Sequence, residues 1–139
     1  MTSDYKKPLP DLKDEDAQPF WENLKAHKFT LQKCSQCGHI RYPILPNCPD
    51  CLSGEFEWAP LSGRGKVWSW VQFYQLYNRG WEGETPYNVT YVLLDEGIGL
   101  ITNLVGIAHE DVRMEMPVEV YYDDVTPDVT LLKFQAASK

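Results

Sequence analysis

The chain has 139 residues, 43% hydrophobic and 24% charged, enough apolar material for one packed domain and too much for a disordered chain. Thirteen Lys and Arg against twenty Asp and Glu leave a net charge of −7, which opposes nucleic-acid binding, since that affinity comes largely from neutralised phosphates. Four cysteines are too few for a disulfide-dense secreted scaffold, no apolar run nears the ~20 residues of a membrane span, and the polar stretch 1–13 lacks an apolar signal core, so a cytoplasmic location without membrane contact is expected.

Residues 1–13 read as an extended leader, with Pro8 and Pro10 blocking regular structure. A helix is predicted over 17–27, with Asp16 as N-cap, Pro19 in the first turn, and Asp14, Glu15 and Asp16 supplying favourable negative charge. Phe20, Trp21 and Leu24 form its apolar stripe. That stripe has two readings: a cover for the protein's own core, or an aromatic anchor for a partner subunit.

Two Cys-x-x-Cys pairs follow, Cys34/Cys37 and Cys48/Cys51, ten residues apart. Two tight turns that each deliver two thiolates suit tetrahedral zinc. Gly38 permits the left-handed backbone such a turn needs, and Pro49 stiffens the second one. Two disulfides or a mononuclear iron centre are the alternatives. Four thiolates would fill the tetrahedron, so a zinc here is structural. His39 and Asp50 flank the knuckles as surface or supporting groups.

After Trp58 the pattern becomes strands: 65–74, 87–94, 98–105, 117–123 and 129–135, with one helical turn at 109–112. In the first strand, Val67, Ser69, Val71 and Phe73 fall on one side and Trp68, Trp70 and Tyr74 on the other. Five antiparallel strands of this size suit a small Greek-key barrel such as the OB-fold, or else a small open sheet. The parts are thus a leader and helix over 1–28, a zinc ribbon over 29–58 and a barrel over 59–139. The segment 75–86 is long for a hairpin and carries Tyr77, Arg79 and Trp81, a usual place for binding a partner or ligand unless Trp81 folds back to cap the barrel. The acidity is concentrated late: residues 109–139 hold three basic and seven acidic residues, and are expected to form a solvated face. No phosphate loop, nucleophile elbow or paired-His metal motif is present, and the three histidines are isolated, so no catalytic residue is assigned.

An ordered set of motifs resembles the zinc-ribbon plus OB-fold family associated with acyl-CoA metabolism. It comprises Pro19-Phe20-Trp21, Cys34-x-x-Cys37-Gly38, Tyr42-Pro43, Cys48-Pro49-x-Cys51 with Ser53, Gly63-x-Gly65-x-Val67-x-Ser69, Pro86-Tyr87 and Met116-Pro117-Val118. The family often has glycine before Met-Pro-Val, where this chain has Glu115. The resemblance implies a mainly β protein with an N-terminal helix, a rubredoxin-like zinc ribbon and a five-stranded OB-fold barrel. It also implies an accessory subunit of a thiolase-like enzyme (thiolase, acyltransferase or steroid side-chain aldolase) in lipid or aromatic catabolism, with the chemistry on the partner chain. Coenzyme A would then sit, if this chain touches it, in a shared site, with Arg79 as the contact. Partner or ligand residues are expected to be Phe20, Trp21, Tyr77, Arg79 and Trp81. Competing readings are a single-stranded nucleic-acid module stacking bases on Trp68, Trp70 and Tyr74, and a stand-alone acyl-CoA-binding protein or hydratase-type enzyme.

Overall fold

The computed structural model describes residues 5–137; the first four positions of the leader lie outside the described residues. The first regular element is the helix α1, Gln18–Lys25. Its N-cap falls one residue after the expected one. The Asp14 carbonyl accepts from the N–H groups of Ala17 and Gln18, and its carboxylate accepts from Asp16 N–H at 3.0 Å, so Ala17 rather than Asp16 becomes the N-cap. The helix stops at Lys25 because His27 takes a left-handed backbone (φ 59°) and Lys28 N–H turns back to the Asn23 carbonyl.

Three short strands form the ribbon: β1 (Thr30–Cys34), β2 (Ile40–Arg41) and β3 (Phe56–Pro60), antiparallel in the order β2-β1-β3. A buried polar knot braces it. Arg41 Nε donates to Gln32 Oε1 at 3.1 Å and, with Nη2, to the Leu45 carbonyl, while Leu45 N–H donates to the same Gln32 oxygen. Arg41 also lies over the Phe56 ring, 4.8 Å from its centroid. The loop leaving β2 is thereby fixed against β1.

Five further strands make the second sheet: β4 (Arg64–Phe73), β5 (Tyr87–Leu94), β6 (Gly99–Thr102), β7 (Pro117–Asp124) and β8 (Thr130–Ala136). Their order is β6-β5-β4-β7-β8, antiparallel throughout. The sheet curls until its two edges touch in a parallel bridge between Leu104 and Phe134, which is the OB-fold topology. Gly65 makes the curl possible: a Cβ there would meet the Leu93 carbonyl oxygen at 2.6 Å. One continuous core joins all parts. Phe20 and Leu24 of α1 and Phe29 and Leu31 of the ribbon pack with Val67, Val92, Leu100, Val118 and Phe134 of the barrel.

Four local features differ from the sequence expectation. A β-bulge sets two residues, Trp68 and Ser69, against one on β5, so the facing inverts. Val67 points inward, but beyond the bulge Trp70 packs on the core, while Ser69, Val71 and Phe73 face out. The strand expected over 98–105 ends at Thr102, because Asn88 takes over its backbone bonding: its Nδ2 donates to the Leu104 carbonyl (2.8 Å) and its Oδ1 accepts from Leu104 N–H (2.7 Å). Glu115 keeps a glycine-like backbone (φ 62°), with its N–H bonded to the Val67 carbonyl. Finally, the acidic β7–β8 hairpin is more than a solvated edge. Asp123 pairs with Lys133 at 2.6 Å, and Asp124 holds His27 at the end of α1 at 3.0 Å.

His27 stacks on Tyr122 (4.8 Å between centroids), so its contact with Asp124 ties the helix end to β7. The Thr130 hydroxyl and then His27 hold the Asp124 carboxyl below its ordinary value of 3.8. A carboxylate depressed in the folded state stabilises above its unfolded pKa, and that stability is lost as pH falls through the folded value. Asp124→Asn should therefore melt lower than the parent chain at pH 6, with the gap closing as the pH drops below 3.8. Thermal melts from pH 3 to 7 measure this, and a gap that stays constant would contradict it.

Candidate metal centre and docking surfaces

The two knuckles are built alike. In the first, Gly38 N–H returns to the Cys34 carbonyl (3.0 Å), and Gly38 is left-handed at φ 79°. In the second, Leu52 N–H returns to the Cys48 carbonyl (2.8 Å), and Leu52 holds the same left-handed backbone at φ 68°. A branched side chain there costs roughly 1–2 kcal/mol relative to its relaxed backbone. His39 Nδ1 lies 3.1 Å from Asp50 Oδ2, linking one knuckle to the other outside the sulfur set.

The four Sγ atoms lie within 4.8 Å of one another, with Cys34 to Cys51 at 3.5 Å and Cys37 to Cys48 at 3.6 Å. Zinc–sulfur bonds of ~2.3 Å in a tetrahedron place ligands about 3.8 Å apart, so the set fits zinc and is too open for two disulfides. The Cys37 N–H, with that of Gln36, draws the Cys34 thiol down to about 6. Cys37, despite the pull of the His39 N–H, is pushed up to about 12 by burial and by the neighbouring sulfurs. Four thiols this close cannot all ionise without a cation among them. Metal binding must therefore expel protons, and acid must release the metal. With all four tetrahedral positions taken by protein sulfur, the centre staples the ribbon and offers no place for substrate.

The expected binding residues fall in two places. Phe20 is 5% exposed and packs in the core, and it also lines the groove that holds Trp21. Trp21 is half-buried and lines a groove of about 390 Å³ with Leu24, Tyr42, Ile44, Ile101 and Leu131. Trp81 folds back, stacked on Tyr87 at 4.1 Å, and Lys7 Nζ sits 4.0 Å from the Trp81 ring centroid while bonding Glu84 at 2.8 Å. The leader therefore straps the 75–86 segment to the barrel. Tyr77, 70% exposed, and Arg79, at the start of a 3-10 turn (Arg79–Trp81), point outward. A hollow of about 270 Å³ beside Trp81 shares Asn103 and Lys133 with the Trp21 groove, so the two places adjoin.

An apolar surface whose facing the sequence pattern leaves open lies on the outer face of the barrel. Val71 and Phe73 on β4, Tyr91 on β5 and Ile101 on β6 are exposed together, Ile101 by 66%. Ser69 pairs with Tyr91, and Tyr91 with Ile101, so they share one face, and Tyr77 packs edge-on against Phe73. Alternation in 65–74 is satisfied by either facing; only the bulge selects one. The same inversion turns Trp70 into the core, so Trp68, Trp70 and Tyr74 make no row for stacking bases. Barrel cations are mostly engaged: Lys66 with Glu115, Lys133 with Asp123, Arg113 with the Glu110 carbonyl. At the α1 end, Thr130 and His27 both donate to Asp124, so no imidazole is aimed at the hydroxyl, and the trio ties elements together without activating a nucleophile. Among the described residues, no helix is long and apolar enough to cross a membrane.

Fold and metal centre together define a structural zinc ribbon fused to an OB-fold. The family models agree: residues 21–57 match the ChsH2 rubredoxin-like zinc ribbon domain, and residues 58–123 match the ChsH2 C-terminal OB-fold domain. The chain belongs to this ChsH2/DUF35 family. A solved structure described as an Ltp2-ChsH2(DUF35) aldolase aligns with TM-score 0.82 and 32% identity over 95% of this chain and 100% of that one. A probable enoyl-CoA hydratase alpha subunit of Thermomonospora curvata is 34% identical over 94% of this chain, which spans 40% of that protein. The benzoylsuccinyl-CoA thiolase subunit BbsA of Thauera aromatica is 35% identical over 70% of this chain, which spans 62% of it.

Cys34→Ser should lower bound zinc from about one equivalent to none at neutral pH and unravel the ribbon, where sheet and metal depend on each other. Metal analysis with hydrogen exchange over 29–58 reads both effects. Retained zinc with unchanged protection would contradict a structural staple.

Proposed function

We propose that the chain is a non-catalytic accessory subunit of a thiolase-superfamily acyl-CoA enzyme, with thiolytic, retro-Claisen or retro-aldol carbon–carbon cleavage carried out on the partner chain. The observation that carries this reading is the exposed apolar face of Val71, Phe73, Tyr91 and Ile101, continued by Tyr77. A contiguous apolar face of this kind, with aromatic anchors, fits a protein interface better than open water. The closed metal centre supports the same reading, because it supplies stability and no reactive position. So do the relatives described as thiolase, aldolase and hydratase subunits.

Within this reading the three parts divide the work. In the part over 1–28, residues 5–28 strap and plug the barrel; 29–58 hold the metal; and in the part over 59–139, residues 59–137 carry the docking face. Arg79 is the residue proposed to reach a coenzyme A phosphate in a site shared with the partner. It is exposed on the same segment as Tyr77, and no ion pair occupies it among the described residues. A cytoplasmic location is part of the proposal.

The test is co-expression with a thiolase-like protein sought among the genes neighbouring the one for this chain. Val71→Asp places an unpaired charge in the face while leaving the free chain's melting temperature nearly unchanged, as an exposed site allows. Binding measured by titration should weaken by about 100-fold. Unaltered affinity would remove this face from the interface. Full activity of the neighbour alone, with no complex formed, would remove the function.

A further inference from the structure

The barrel is closed at one point and open below it. The strand edges meet at the Leu104–Phe134 bridge, where Phe134 N–H donates to the Asn103 carbonyl and Val105 N–H to the Phe134 carbonyl. Between β6 and the neighbouring edge of β8 no further ladder forms, and the groove containing Trp21 lies along that gap.

The direction of each backbone group there follows from the hairpins. Leu94 N–H bonds the Ile98 carbonyl, so along β5–β6 the bonded pairs are Val92 with Leu100 and Thr90 with Thr102. Ile101, opposite Tyr91, is a non-bonded pair, and both its N–H and its carbonyl point away from β5 into the gap. Val125 N–H bonds the Val129 carbonyl, so on β8 Leu132 likewise points away from β7. Its carbonyl accepts from the Thr102 hydroxyl at 3.1 Å, while its N–H faces the groove with no partner strand. An open edge over an apolar floor is a template for an added strand.

We infer that this seam receives an extended, uncharged, apolar segment of the partner subunit, added as a strand along the free edge of β6. The inference rests on the accessory-subunit reading and names where that partner reaches in. Open donors and acceptors at strand spacing call for an extended backbone; a helix satisfies its own and would leave them unpaired. The occupant is uncharged because the one charged side chain on the groove wall, Lys133, is already held by Asp123 at 2.6 Å. Ile101 stands both on the groove wall and on the exposed outer face, so the seam continues the proposed docking face. A second copy is disfavoured as the occupant, since each copy carries −7.

Hydrogen exchange on the zinc-loaded chain, alone and with a thiolase-like partner found by co-expression, tests the inference. The amides of Ile101 and Leu132 should exchange rapidly in the free chain and slow by at least tenfold in the complex. Ile101→Pro removes an N–H that β5 does not use, a substitution an edge strand tolerates, and should weaken the complex by about tenfold with little change in the free chain's melting. Ile101→Val should bind like the parent chain. A complex that forms while both amides still exchange rapidly overturns the seam and leaves the accessory role standing. Protection that grows with concentration of the chain alone assigns the edge to a second copy and overturns it too. Failure to form any complex removes both readings together.

Discussion

The structure depends on holding four sulfurs within bonding reach of one metal ion. The ribbon has three strands of five, two and five residues, too little to bury a core of its own. The knuckles bring Cys34, Cys37, Cys48 and Cys51 together, and the thiolates repel one another unless a cation sits among them. Once stapled, β1 and its neighbours present Phe29 and Leu31 to the barrel and fix the loop carrying Tyr42 and Ile44 through Arg41, Gln32 and Leu45. The metal therefore acts at a distance. It shapes one wall of the groove without touching anything that enters.

From this follows a division between rigid and available surface. The inward side of the molecule is one core, shared by helix, ribbon and barrel, so these parts do not behave as separate beads. Two features outside that core remain unspent: the apolar outer face of β4 to β6 and the open backbone edge beside it. They adjoin at Ile101. With its four cysteines committed to the ribbon and His27, Thr130 and Asp124 engaged with one another, the chain leaves this face and edge as its open surface.

Much of this was legible from local signals. Cysteine spacing, with glycine after the first knuckle, specified the metal centre. The five apolar runs placed the barrel strands to within a few residues. What escaped depended on contacts distant in sequence. The bulge at Trp68–Ser69 inverts a strand whose pattern allows either facing, and it decides which aromatics meet solvent. Asn88 ends β6 from sixteen residues away. Leu52 and Glu115 adopt backbones that their side chains disfavour; nothing in its identity announces this for Leu52, and for Glu115 only the family's glycine at that place hints at it. Asp123 and Asp124 read as a solvated edge because Lys133 and His27 reach them only in the folded chain.

The central claim is that this chain works bound to a thiolase-like subunit. The most direct measurement is the solution mass, by light scattering after gel filtration, of the zinc-loaded chain mixed with a thiolase-like protein encoded near it, with acyl-CoA cleavage assayed across the same fractions. A single heteromeric peak holding both chains, with cleavage activity that neither chain shows alone, is the predicted result. Two separate peaks, with full activity in the partner's peak, would contradict it.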